Sequence, residues 1–322
     1  MNIRNISTLL LLTLSGLSAN AQAIDNTTSY KNINSDAYFR LNYENDFFSA
    51  TDEYYTQGIN IETVGSFWKK NPVNYILIKP KYDYIRYGLG FQHNGYTPSD
   101  IGHNEILYGD RPFAGTMMLQ SFVIATNPEK HRRFTSSLST GVIGPLAGAG
   151  QMQRSIHKWL SNITPHGWDN QIQNDIILNY QVNYEQQLLA YKKSFLLSGD
   201  GFARVGTLSD KAGIGLTLMF GYFDSPYDRN QTKNENFRIY AYEHPGFNIV
   251  GYDATLQGGV FDKDSPYTIS SGDINRLVFQ NRFGFVVQYL GFTLEYFQSV
   301  SSREFETQKM HTWGGVQVGF EL

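Results

Sequence analysis

Asn45 and Asp46, followed after a turn by Thr56, bring an amide, a carboxylate and a hydroxyl oxygen to one place in the chain. Hard oxygen donors of this kind suit a cation such as calcium. A second pair, Gln153 and His157, lies four residues apart in a stretch where Met152, Ile156, Trp159 and Leu160 recur at helical spacing. Both side chains therefore share one side of a short amphipathic helix, beside its apolar stripe. The same residue types have plainer uses. Asn, Asp and Thr are common in hairpin loops, and a histidine on a loop helix can be purely structural, so residue types alone leave both readings open.

The elements that must position these groups read as strands. Ala37, Phe39, Leu41 and Tyr43 fall on one face of a period-2 pattern, with Tyr38, Arg40, Asn42 and Glu44 on the other. The pattern resumes with Ile59 and Ile61 against Gly58, Asn60 and Glu62, which gives Thr56 polar-side parity. A hairpin built this way would point Asp46 and Thr56 inward near one rim. Alternating stretches continue at about 85–92, 112–125, 132–143, 171–189, 194–207, 211–224, 246–261, 274–289, 291–305 and 308–321, twelve strands in all. The even count returns both termini to one side, as single-chain bacterial barrels require. The polar stretch 225–245 then falls on the periplasmic side, where it is longer than such turns usually are. Parity places the turn after Asp46, the loop 97–110 and the helical loop 144–170 together at the extracellular rim.

Composition supports a membrane barrel. Arg4, the apolar run Leu9 to Leu14 and Ala21-Gln22-Ala23 read as a secretory signal over 1–23. Residues 24–36 follow as a periplasmic leader or plug, and 37–322 as the barrel. There is no cysteine, so no disulfide framework and no lipid-modified N-terminal cysteine. Beyond the signal, no apolar run reaches the roughly 20 residues that a membrane helix needs. The 22 Tyr, 22 Phe and 30 Gly suit a barrel whose strands turn alternate residues to lipid between aromatic girdles. A net charge of −3 gives no basic surface for nucleic acid.

Four blocks carry a resemblance: Asn45-Asp46; Tyr55-Thr56-Gln57-Gly58; Gly109-Asp110-Arg111-Pro112-Phe113-Ala114; and Gly144-Pro145 through Gln153-x-x-x-His157 to Pro165-x-x-Trp168-x-x-Gln171. In this order and spacing they resemble the outer-membrane lipid A 3'-O-deacylase family. The resemblance implies a twelve-stranded barrel whose calcium-dependent site removes an ester-linked 3'-acyl group from lipid A in lipopolysaccharide. It implies His157 as general base, with Gln153 as a supporting group. Asn45, Asp46 and Thr56 would build the metal and oxyanion environment. Arg111 reads equally as a substrate contact or as a lumenal charge paired with Asp110 or Glu44. Ile101-Gly102-His103-Asn104-Glu105 lacks the basic residues expected for phosphate contact, which shifts that role to Lys or Arg elsewhere on the rim. Two rivals remain: a serine-type outer-membrane phospholipase using Ser49 or Ser155, and a non-enzymatic porin or adhesin.

Overall fold

Alternation of apolar and polar residues is realised as twelve antiparallel strands, each hydrogen-bonded to its sequence neighbours, with the first and last closing the ring. The computed structural model describes residues 29–33, 35–49, 54–228 and 237–322. The signal segment 1–23, the start of the leader and Thr51, Asp52 and Glu53 lie outside the described residues. The strands are β1 (Tyr38–Asn45), β2 (Tyr54–Val64), β3 (Tyr84–Thr97), β4 (Ala114–Asn127), β5 (Arg132–Ile143), β6 (Asp175–Tyr191), β7 (Phe195–Gly206), β8 (Ser209–Tyr222), β9 (Phe237–Asp253), β10 (Leu277–Tyr289), β11 (Phe292–Ser301) and β12 (His311–Glu321). Among the described residues no helix is long and apolar enough to cross a membrane. Closure is what lets strands do so, since it leaves no unpaired edge in hydrocarbon.

The strand expected over 246–261 is misplaced by that expectation: it runs over Phe237–Asp253. Pro245 and Gly246 look like a boundary in sequence but sit inside the strand. Pro245 pairs across to Asn281 on β10. On the other side the ladder to β8 breaks between Gly215↔Gly246 and Leu218↔Glu243. A proline cannot donate to a ladder, so it is tolerated where that ladder is locally interrupted.

The lumen is filled. Arg40 forks onto both oxygens of Glu62 at 2.8 and 2.7 Å, and Arg282 reaches Glu295 at 3.2 Å and Glu44 at 3.8 Å. Trp313 donates its indole N–H to Glu44 at 3.0 Å. Residues 29–33 of the leader occupy the periplasmic end as a plug. Their backbone carbonyls are taken by lumenal donors: Lys31 by Arg40, Ile33 by Arg86 and Tyr30 by the Tyr240 hydroxyl. Buried charges persist only when paired in this way. A porin needs open space where these groups stand.

Candidate functional site

The helix predicted from Met152, Ile156, Trp159 and Leu160 is present as α1 (Ala149–Leu160). Gly148 in the left-handed region precedes it, and Ser161, also left-handed, ends it by donating its N–H to the Lys158 carbonyl while Asn162 donates to that of His157. The buried residues of α1 are Ala149, Gly150, Gln153 and His157. Three of them, Ala149, Gln153 and His157, make a single i, i+4, i+8 stripe turned towards the barrel.

That stripe packs on the outside of the barrel. A Cβ built on Gly115 would lie 2.7 Å from the Ala149 Cβ, and one on Gly150 would lie 2.8 Å from the Trp168 ring, so two bare backbones let the helix seat. Gly115 pairs with Gly95 of β3, which alternates in phase with the outward residues Leu89 and Phe91. His93, on the same outward face, bonds through Nε2 to the Ala147 carbonyl at 2.8 Å and ties the start of the helical loop to the wall.

The inward pointing expected for Asp46 and Thr56 is therefore corrected. On β1, Glu44 faces the lumen, whereas Tyr43 and Asn45 face outward. On β2 the register to β3 slips between Tyr55 and Gln57, which makes Thr56 the extra residue of a β-bulge. The slip reverses parity. Tyr55 takes the lumenal side, donating to Asn94 at 3.2 Å and meeting the Trp313 ring edge-on. The sequence pattern carried no sign of the bulge, because a single inserted residue leaves both flanking alternations intact.

A cleft of about 660 Å³ opens between α1 and this outer wall. Its apolar sides are Tyr43, Phe47, Phe48, Ile156 and Leu160, and its polar groups include Asn45, Asp46 and His157. Thus the structure brings together the two halves of the candidate site from β1 and from α1. Phe47 is 78% exposed and Trp159 82%, so apolar surface continues out of the cleft on both sides.

His157 is buried, and its Nδ1 lies 2.7 Å from the Ile163 carbonyl oxygen. A carbonyl can only accept, so Nδ1 carries the proton and the neutral ring keeps its lone pair on Nε2. Ile163 contributes through its backbone alone, which explains why no sequence motif marked it. Gln153 is 1% exposed and accepts from the Trp168 indole N–H at 2.6 Å. It pins the buried face of α1 to the loop that ends in Trp168, a residue present in the motif but with no role assigned from sequence.

Asn45 works on the backbone. Its amide donates to the Thr56 carbonyl at 2.5 Å and to the Tyr43 hydroxyl at 3.2 Å, while its Oδ1 accepts from the Phe47 N–H at 2.6 Å. This side chain starts the 3-10 turn Asp46–Ser49 and holds the bulge beside it. Thr56 is buried behind Asn45, its hydroxyl 2.7 Å from that of Thr97, and is not part of the cleft lining.

Arg111 is elsewhere. It is 2% exposed in the lumen, bonded to Glu304 and, at 2.6 Å, to the Thr255 hydroxyl, with its guanidinium over the Tyr96 ring. The sequence suggested Asp110 or Glu44 as its partner; the partner is Glu304. Asp110 instead accepts from Ser99, closing the extracellular loop. Ser155 is exposed on the far side of α1 and donates to the Gln151 carbonyl at 2.8 Å. The Ser49 side chain lies outside the described residues. Among the described residues no three His, Asp or Glu side chains gather as a metal cluster.

A closed antiparallel barrel with a lipid-facing apolar wall is an integral outer-membrane protein. The family profile described as outer membrane protein LpxR matches residues 6–322. The chain belongs to this family, the lipid A 3'-O-deacylase family that its motifs resemble. LpxR from Salmonella typhimurium is similar in structure at a TM-score of 0.71 and 18% identity, over 88% of this chain and 100% of that one. The β domain of the Bordetella autotransporter BrkA aligns over 90% of this chain and 100% of that one at 7% identity and a TM-score of 0.45. No curated protein sequence matches at a significant level.

Proposed function

We propose that the chain hydrolyses the ester that links the 3'-acyl group to lipid A in the outer leaflet, with calcium as cofactor. One observation carries this reading: a histidine of fixed tautomer faces Asn45 and Asp46 across a cleft that opens on the lipid-facing wall. A soluble substrate would be met at the lumen or the rim. An acyl chain already in the leaflet meets the wall.

The apolar sides, Phe48, Ile156 and Leu160 among them, receive acyl chain and exclude water from the ester. His157 Nε2 takes a proton from water as the water oxygen attacks the ester carbonyl. The same imidazole then returns the proton to the departing sugar oxygen, leaving a free hydroxyl and a fatty acid. Ile163 keeps the ring in the required tautomer throughout. Gln153 and Asn45 act as positioning residues, the first for α1 and the second for the turn that carries Asp46.

The donors present fit a hard cation. Asp46 would hold it through its carboxylate and Asn45 through the second lone pair of Oδ1, and oxygen donors favour calcium over zinc. When bound, calcium supplies positive charge for the developing oxyanion. Thr56, expected in the metal and oxyanion environment, acts instead as a buttress, since its hydroxyl is engaged with Thr97 and its carbonyl with Asn45. The test is mass spectrometry of lipid A from cells expressing the chain or its His157→Ala form. Loss of one ester-linked chain only with the unaltered protein supports the reading; unchanged lipid A in both overturns it.

A further inference from the structure

The short connections 128–131, 192–194 and 290–291 mark the periplasmic end, together with both termini. The β2–β3 connection, 65–83, is at the same end and is long. It does not hang into the periplasm. It folds back along the lipid-facing wall of β2 to β6 as a strap made of the 3-10 turns Ser66–Lys70 and Pro72–Tyr75 and their extended sequel.

The wall is adapted to it. Outward residues there include Thr63, Ser121 and Ser136, polar groups that bare hydrocarbon would penalise. The strap covers each of them. Trp68 donates to the Thr63 hydroxyl at 2.8 Å, Asn71 to that of Ser121 at 3.0 Å, and Ser136 donates to the Ile78 carbonyl at 2.6 Å. Leu77, within the strap, is itself buried. Elsewhere the periplasmic strand ends carry outward rings in register, with Phe39 opposite Phe320, Phe320 opposite Phe292 and Tyr289 opposite Phe237. On β2 to β5, where Tyr87 and Phe134 share the outward face, the strap adds exposed apolar side chains of its own: Phe67 is 58% exposed and Tyr75 90%, with Ile76 and Ile78 bare beside them.

Charge completes the pattern. The strap holds Lys69, Lys70, Lys79 and Lys81 against the single acid Asp83, in a chain whose net charge is −3. All four lysines are exposed, and Lys79 also bonds the Asn74 carbonyl. Apolar residues that enter the leaflet flanked by lysines that snorkel to headgroup level are what an interfacial anchor needs. We propose that this strap is a binding site for anionic phospholipid of the periplasmic leaflet, separate from the cleft above it.

Native mass spectrometry of the detergent-solubilised barrel titrated with phosphatidylglycerol or phosphatidylcholine tests this. The expected result is preferential retention of phosphatidylglycerol. Each lysine is worth about fivefold at an anionic surface, so K69Q/K70Q/K79Q/K81Q should lose at least tenfold of that preference. Phe67→Ser with Tyr75→Ser should weaken retention of both lipids. The pairs K69Q/K70Q and K79Q/K81Q, each checked for heat-modifiable gel migration, serve if the quadruple variant does not fold. Equal retention of the two lipids by the unaltered protein, or a preference that survives neutralisation in folded variants, overturns the proposal. Neither result depends on hydrolysis, so the site on α1 stands or falls separately.

Discussion

The Nδ1 of His157 is 2.7 Å from the carbonyl oxygen of Ile163, which leaves Nε2 as the basic nitrogen of a ring that lines the lipid-facing cleft. One backbone carbonyl thus decides which nitrogen can accept a proton. The carbonyl belongs to the loop that follows α1, and that loop is fixed in turn by Trp168 bonding to Gln153. Tautomer and helix position are set by the same segment.

If water is activated by this histidine, His157→Ala should lose about 10²- to 10⁴-fold in the rate of deacylation. Ser155→Ala and Ser49→Ala should keep most activity. Accumulation of an acyl-serine adduct detected by intact-protein mass spectrometry, or a dead Ser49→Ala beside an active His157→Ala, would favour the phospholipase-type mechanism instead.

The seat of α1 gives a second prediction, far from the reacting atoms. Gly115→Val would drive side-chain atoms into Ala149, whose Cβ is 2.7 Å from the position of an added Cβ. The helix must then lift from the wall. Because misplacement by about 1 Å can cost about 10² in rate, deacylation should fall by that order. The barrel itself should migrate as before in a heat-modifiability gel. Full activity in Gly115→Val would mean that α1 need not touch the wall.

Much of this was legible in the sequence, and the failures have specific causes. The strands alternate because lipid and lumen demand opposite residues, so their number and the closure were readable. His157 and Gln153 shared a helix face because Met152, Ile156 and Leu160 announced the period. The side of the wall was not readable: one bulged residue at Thr56 exchanged lumen for lipid on part of β2 without disturbing the pattern. Pro245 looked like a break because sequence does not show that the β8 ladder opens beside it. The partners of Arg111 came from Thr255 and Glu304, and tertiary pairings at such separation have no local signature.

Arg111 also makes a prediction that separates a lumenal tie from a substrate contact. It is paired with Glu304 in a buried setting, and removing one member of a buried pair costs about 3–5 kcal/mol. Arg111→Ala should therefore lower the temperature at which the folded gel band is lost. Arg111→Met combined with Glu304→Gln should recover much of it. The KM for lipid A should change little in variants that remain folded. A variant of normal thermal stability with a raised KM would return Arg111 to substrate recognition.

Asn45 and Asp46 adjoin in sequence, yet they should fail differently when altered. Asp46 offers the carboxylate that would hold calcium, so Asp46→Ala should lose activity at ordinary calcium and regain part of it when calcium is raised, since a weakened site can be filled by mass action. Asn45 spends its amide on the Thr56 carbonyl and its Oδ1 on the Phe47 N–H. Removal leaves two backbone groups without these partners, at about 1–3 kcal/mol where such a group is buried, and frees the turn that aims Asp46. Added calcium cannot restore that geometry, so Asn45→Ala should stay inactive across the whole titration. Chelation of the unaltered protein should abolish deacylation while the barrel keeps its heat-modifiable migration, because strand closure involves no metal. Deacylation assayed on lipid A vesicles over a calcium series distinguishes these outcomes. Full activity in excess chelator would remove the cation from the mechanism, and equal rescue of both variants would make Asn45 a ligand and nothing more.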